Sequence, residues 1–337
     1  MKKYLGVCHL TDIHLNPLNK IPTSCKENYH EVVYLEFQEL KNHIEELKLQ
    51  YEKIVVCVSG DIFNLKQQSY YTPKVIEYYS NLFESTFSDL QVYCIPGNHD
   101  LTASSMDLFN ESAYNIWSKA TSNVVDVSNK TILIDDNITV SGIPYYKLQQ
   151  TRDKIKDLNL SENNKNIVLL HSDIFASASD SSWFMHDFIT YDEVSLLNKN
   201  ISMALLGHIH KESPIKSSEN CTFSKPHAFS RMTKEYLSKE DLEDSYPSYA
   251  LFELDKKGNM ISSEYYRIKK FNSSDFIDFN DLQKVKENSN KFHDFIAELN
   301  STFGSIEESF SIQNPDDLLN RIELENEIRQ IINKYIQ

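Results

Sequence analysis

The chain has 337 residues, 40% of them apolar and 25% charged, and a formal net charge of −15. Length and composition describe a globular protein of one large domain or two smaller ones, able to bury a sizeable core. They exclude a membrane-spanning chain, since the longest apolar runs, such as residues 54–58, are far too short, and the acidic balance argues against a protein that coats nucleic acid by charge alone.

Residues 4–10 read as a buried strand ending at Thr11-Asp12-Ile13-His14. Thr11 and Asp12 interrupt this apolar stretch too soon for a signal peptide behind Met1-Lys2-Lys3. Residues 15–26 form a loop, in which Ser24 with Glu27 offers a capping box. The helix that follows runs to about Gln50, with Val32, Val33, Leu35, Phe37, Leu40, Ile44 and Leu47 near helical spacing. Residues 53–58 are continuously apolar after Lys53, as a strand buried on both faces requires, and stop at Ser59-Gly60-Asp61. A helix over 73–87 and a strand over 92–95 complete a β-α-β-α-β pattern, the mark of an α/β fold with a central sheet. Pro96 and Gly97 break that strand before Asn98-His99-Asp100.

The spacing then predicts a helix near 105–119, strands over 124–127, 131–134 and 138–141, and a helix near 149–158. A strand over 167–170 ends at His171-Ser172-Asp173, and one over 202–206 ends at Gly207-His208-Ile209-His210. Two late strands, 249–254 and 261–268, flank a Lys257-Gly258-Asn259 turn. Residues 272–275 read as a linker, followed by an amphipathic helix over 278–299 and another that starts at Asn314-Pro315-Asp316-Asp317. Residues 271–337 hold 6 Lys+Arg against 13 Asp+Glu. The expected organisation is a core over 1–211, a capping region with late strands over 212–270, and a helical tail over 271–337. Five cysteines with no Cys-x-x-Cys pair read as reduced thiols of a cytoplasmic protein.

Five stretches share one design: Asp12-x-His14, Gly60-Asp61, Asn98-His99, His171 and His208-x-His210. Each follows an apolar strand, and the carboxyl ends of strands in an open α/β sheet gather where ligands bind. Asn-His-Asp after a turn is by itself ordinary loop chemistry; the repetition of the design is what points to a site. Mixed His and carboxylate with one Asn suits manganese, iron or zinc in a catalytic site rather than a thiolate structural site. Two such ions about 3.5–4 Å apart share a bridging carboxylate, provide hydroxide at neutral pH and clamp a phosphate, while a nearby imidazole serves the leaving oxygen.

Taken in this order, the motifs resemble those of the calcineurin-like metallophosphoesterase superfamily. The resemblance implies a four-layer α-β-β-α sandwich with a binuclear centre. On its pattern Asp12, His14 and His210 bind the first metal, Asn98, His171 and His208 bind the second, and Asp61 bridges. His99 is then the imidazole near the leaving group, and Asp100 orients it. The second motif departs from the common Gly-Asp-x-x-Asp, because Asn64 stands at its last position and can neither carry charge nor act as a base. Gly60-Asp61-Ile62-Phe63, Ile95-Pro96-Gly97-Asn98-His99-Asp100 and Leu206-Gly207-His208-Ile209-His210-Lys211 resemble the SbcD-type nucleases in particular. That likeness implies manganese-dependent exonuclease and endonuclease action on DNA in repair or recombination. It also implies docking of the C-terminal helices on an SbcC-type coiled-coil ATPase, and a homodimer. The alternative is a stand-alone phosphodiesterase or phosphatase for nucleotides or other small phosphoesters, which the acidic charge favours.

The other histidines read as non-ligands: His9 as a core or supporting residue, His30, His43 and His293 as helix surface, His186 and His227 as loop residues. Trp183, Phe184 and Phe188, in a serine-rich loop, either stack on bases or pack that loop onto the domain. Ser230-Arg231 reads equally as a phosphate contact or as surface.

Overall fold

The computed structural model describes residues 2–22, 25–177, 187–218, 220–231 and 246–278. The chain divides into Met1–Ile277 and Asp278–Gln337, and the fold below is that of the first unit. The two predicted tail helices, with His293, lie outside the described residues, as do Ser24, Trp183, Phe184 and His186.

In chain order the elements begin β1 (Lys3–Leu10), α1 (Tyr29–Gln50), β2 (Tyr51–Ser59), α2 (Pro73–Thr86), β3 (Gln91–Ile95), α3 (Ala113–Ala120), β4 (Val124–Asp126), β5 (Thr131–Asp135) and β6 (Ile138–Ile143). They continue with α4 (Leu148–Asp157), β7 (Lys165–His171), β8 (Ile174–Phe175), β9 (Ile189–Thr190), α5 (Tyr191–Leu197), β10 (Ile201–Gly207), β11 (Ser213–Ser218), β12 (Cys221–Lys225), β13 (Ser248–Leu254) and β14 (Met260–Arg267). Two six-stranded sheets form, ordered β14-β13-β1-β2-β3-β4 and β11-β12-β10-β7-β6-β5. Strands β1 to β4 run parallel in the first, and β6, β7, β10 and β12 in the second.

The sheets face each other through alternate residues. Leu5, Val7, Val55, Cys57, Tyr93, Ile95, Ala250 and Phe252 meet Val140, Ile167, Leu169, Met203 and Leu205 in one core. A strand's two-residue period sends the intervening side chains to the outer faces. There Val168, Leu170, Ala204 and Leu206 pack with Ile155 of α4 and Val194 of α5. Helices α1 to α3 cover the first sheet and lock together through Phe37, Phe83 and Trp117. The layers are therefore helix, sheet, sheet, helix, the four-layer α/β sandwich expected from the sequence. No helix of the described residues is long and apolar enough to cross a membrane.

Several elements differ from the sequence reading. The helix expected near 105–119 is two 3₁₀ turns, Thr102–Ser104 and Met106–Glu111, followed by α3. Ser105 and Ser112 divide it: each is extended, and its hydroxyl accepts from a main-chain N–H, of Asp107 at 3.3 Å and of Asn115 at 3.1 Å. Helix α5 was not expected, although Thr190 caps it through Glu193 N at 3.1 Å, a Thr-x-x-Glu signal present in the sequence. Strands β11 and β12 extend the second sheet, and β13 and β14 extend the first, so the described strands of 212–270 belong to the sandwich itself. The linker expected at 272–275 is a helical turn, Ser273–Phe276, with Asn272 and Asp275 forming a capping box. This turn is bound to the first unit, since Lys26 N donates to Phe276 O at 2.7 Å and Cys25 pairs with Ile277. Residues up to Ile277 thus belong to the first unit.

Arg231 overturns both of its sequence readings. It is 2% exposed, pairs with Glu36 of α1, donates to Phe271 O at 2.7 Å and lies 4.5 Å over the Phe276 ring. Burial pushes the Glu36 carboxyl up to about 7 against the opposing pull of Arg231. The pair joins α1 to the segment that closes the first unit, and the next residue back, Ser230, meets the Tyr29 hydroxyl at 2.6 Å.

Candidate metal centre

Strands β1, β2, β3, β7 and β10 all end on one edge of the sandwich, and each delivers one motif there. The loops after β1 and β2 are zipped together, with Asp12 N donating to Gly60 O at 3.1 Å and His14 N to Asp61 O at 2.9 Å. This zipper holds the backbone in a form that L-residues avoid. Asp12, His14, Asp61 and His208 are four of the eight non-glycine residues with positive φ among those described. Such conformations cost about 1–3 kcal/mol each and persist where the surroundings over-determine them.

The side chains converge as two clusters, Asp12–His14–His210 and Asp61–His171–His208. In the first, Asp12 Oδ1 lies 3.7 Å from His14 Nε2 and 3.6 Å from His210 Nε2, and the two imidazole nitrogens are 2.9 Å apart. In the second, Asn98 Oδ1 lies 3.2 Å from His171 Nε2 and 3.0 Å from His208 Nδ1. Asp61 stands between them, its Oδ2 being 3.6 Å from His14 Nε2 and 3.3 Å from His171 Nε2. The seven residues expected from the sequence to bind metal thus lie close together, with Asp61 between the two clusters.

The donor set fits two cations. His171 Nδ1 donates to Ser59 O at 2.7 Å, so in the neutral ring Nε2 carries a lone pair that faces the oxygen of Asn98. Carboxylates, an amide oxygen and imidazole lone pairs all turn inward, and like partners do not satisfy one another without a cation or a proton between them. The proton affinities show the same demand. Burial alone would lower the His171 pKa, but Asp61 and Asp12 outweigh it and bring it up to about 9. Burial would raise that of Asp61, but His171, His14 and His99 hold it well below the usual range. Gly97 lets the chain pass close enough to form this centre, because a Cβ there would overlap Asp61 Oδ1 and Asp61 N. Gly97→Ala is expected to weaken binding of both ions together, as read by calorimetric titration; a variant that loses only one ion would show that Asp61 is not shared.

His99 lies outside both clusters. Its ring centroid is 5.0 Å from that of His14, at an edge-on angle. Its Nδ1 donates to the Asn64 carbonyl, leaving Nε2 to exchange a proton with a substrate, and burial lowers its pKa. Asp100 does not orient this ring. Its carboxylate instead accepts the main-chain N–H of Ile62 at 3.0 Å, Phe63 at 2.7 Å and Gly97 at 2.9 Å, fastening the second motif to the third. Asn64, at the last position of the second motif, thus meets His99 through its main-chain carbonyl, while its side-chain amide donates to Asn16 Oδ1 at 2.9 Å.

Of the supporting residues, sequence reasoning named His9 but missed Ser59, Ser224 and Tyr145. Ser59 sits under His171 and beneath the buried His9. The Ser59 hydroxyl donates to Leu205 O at 2.7 Å and is 3.0 Å from His9 Nε2, so the His9 N–H points to it. His9 Nδ1 is left to accept from Ser224 Oγ at 3.0 Å, which ties β1 to β2 and to the opposite sheet. Tyr145 and Asp173 line the site at His208. His43 and His227 join neither cluster.

The sequence model for calcineurin-like phosphoesterases matches residues 5–212. The chain belongs to that family. All seven candidate ligands of this phosphoesterase, with His99 and Asp100, fall inside the matched span. No curated protein sequence matches it significantly. Among solved structures, it is similar to TT1561 of Thermus thermophilus, at 10% identity and a TM-score of 0.49 over 80% of this chain and 100% of that one. It is also similar to a 5'-nucleotidase precursor from the same organism, at 11% identity and 0.45 over 77% and 53%. A dimetal phosphatase from Danio rerio aligns at 10% identity and 0.44 over 80% and 100%.

Proposed function

We propose that this phosphoesterase is a two-metal phosphodiesterase of the SbcD-type nuclease branch, cutting DNA with manganese. The observation that carries the hydrolase reading is Asp61, shared between two clusters of inward-facing acceptors, with a non-ligand imidazole beside them. When bound, the two divalent ions supply Lewis acidity and a nucleophile active at neutral pH. The protein's own residues do the rest. Asp61 fixes both positions, and Ser59 sets the His171 tautomer through its carbonyl. His99, steered by Asn64 O, handles the proton at the leaving oxygen through Nε2. The DNA assignment is supported by the three extended motifs around Asp61, His99 and His208. In this reading residues beyond Ile277 dock on a coiled-coil ATPase, and a homodimer forms part of the same assembly.

The net charge of −15 favours a second reading, a phosphodiesterase for small substrates, since a net-negative chain does not draw a polyanion by its overall charge. Purified full-length protein with manganese, given end-labelled single- and double-stranded DNA beside bis-p-nitrophenyl phosphate, separates the two. Laddered DNA, abolished by chelation, is the expected result. Hydrolysis of the small diester with intact DNA, even after addition of a coiled-coil ATPase, would replace the nuclease by the second reading. Truncation after Asp278 is expected to leave hydrolysis of the small diester unchanged and to remove ATPase binding, measured by co-sedimentation; unaltered binding would move the docking surface to Met1–Ile277.

A further inference from the structure

We infer that Thr11 is the positioning residue of Asp12: its hydroxyl holds one carboxylate oxygen and so leaves the other to face the first metal position. The inference rests on the two-metal reading of the site. The two oxygens of Asp12 have different surroundings. Oδ1 lies 3.7 Å from His14 Nε2 and 3.6 Å from His210 Nε2, among the other ligands of the first cluster. Oδ2 accepts the Thr11 hydroxyl at 2.7 Å. A hydroxyl has one hydrogen to give. The other acceptor beside Thr11 Oγ1 is Ser59 O, at 3.2 Å, and that carbonyl already takes the Nδ1–H of His171 at 2.7 Å. The shorter contact, to a charged oxygen, is the stronger one, so the Thr11 proton goes to Asp12.

The rest of the carboxylate's environment does not choose between the two oxygens. The main-chain N–H of His208 points at both, its nitrogen being 3.2 Å from Oδ1 and 3.1 Å from Oδ2. Asp12 N donates to Gly60 O at 3.1 Å, which fixes the main chain but not the last torsion of the side chain, a broad and nearly two-fold one in aspartate. Thr11 breaks that symmetry, and it is itself held firmly. Its side chain is buried, and its carbonyl accepts from Phe229 N at 3.2 Å. The space for it is provided by Gly207 at the end of β10. A Cβ there would lie 2.3 Å from Thr11 Oγ1, 2.0 Å from Ser59 O and 2.8 Å from His171 Nδ1. Supports for both clusters thus meet over one glycine, the Thr11 hydroxyl for Asp12 and the Ser59 carbonyl for His171. Without the hydroxyl, the Asp12 carboxylate is free to turn out of the plane that aims Oδ1 at His14 and His210.

The test uses the full chain freed of metal and titrated with manganese by calorimetry, as wild type, Thr11→Val and Thr11→Ser. Valine keeps the branched shape and removes the donor; serine keeps the donor and removes a methyl group. Wild type should bind two ions. Thr11→Val should bind one of them about 10–100-fold more weakly and leave the other unchanged, the usual cost of removing a group that orients a metal ligand. Thr11→Ser should bring that affinity back near the wild-type value. Unchanged affinity for both ions in Thr11→Val, equal weakening of both, or a serine variant as weak as the valine one overturns the proposal. If the valine variant fails to fold, Thr11→Ala replaces it in the comparison with Thr11→Ser, and equal affinities in those two overturn the proposal. A wild type that does not bind two ions overturns the two-metal reading instead.

Discussion

Replacing His99 with alanine is expected to slow cleavage of a phosphodiester with an alkoxide leaving group by about 10²–10⁴-fold, the range for loss of a placed general acid. Both ions should remain bound, because His99 belongs to neither ligand cluster. The loss should be smaller for bis-p-nitrophenyl phosphate, whose leaving group departs readily as an anion and needs little protonation. The pH profile adds a sign. Burial lowers the His99 pKa from its ordinary value, and the acid form is the one that donates. The His99-dependent part of kcat/KM should therefore fall as pH rises, beginning below the usual histidine range, and this limb should vanish in His99→Ala. Equal losses on both diesters, or a drop in metal stoichiometry, would remove His99 from the role of proton donor.

Arg231→Ala should be the most destabilising single change outside the metal ligands, by about 3–5 kcal/mol, because it leaves Glu36 buried and uncompensated. Glu36 is 2% exposed on a helix packed against the first sheet, so water cannot reach it without local opening. Arg231→Lys should recover only part, since an ammonium cannot reproduce the planar fork that reaches Glu36, Phe271 O and the Phe276 face together. Glu36→Met with Arg231→Met should restore most of the stability, as apolar replacements of buried pairs often do. Urea denaturation of the four proteins measures this series; a double variant no better than the single one would show that Arg231 acts through its bond to Phe271 O rather than through charge.

These two predictions concern residues of very different legibility. The candidate metal ligands could be read because each sits within four residues of a strand end, and the same design recurs at five such stops. The strand ends could be read for the same reason, being apolar runs cut by Gly or Pro after β2, β3 and within β10, and by polar residues after β1 and β7. Arg231 could not, since its partner Glu36 is 195 positions away and nothing local marks either as buried. Asp100 sits beside His99 in sequence, yet its carboxylate turns to three amides, because chain neighbours in a turn point in different directions. The Thr190–Glu193 cap was present in the sequence and simply outweighed by the loop-like residues before it.

The ligands come from both sheets, and His14 and His210 are 196 positions apart. An unfolded chain offers an ion only isolated Asp-x-His and His-x-His fragments, so the denatured state competes poorly for metal. Loading must then follow folding rather than guide it. The thermodynamic consequence is a staple closed across most of the sandwich: each ion should raise the melting temperature with the logarithm of its free concentration, undiminished by binding to the unfolded chain, and the two sheets should resist sliding apart only as long as the ions remain.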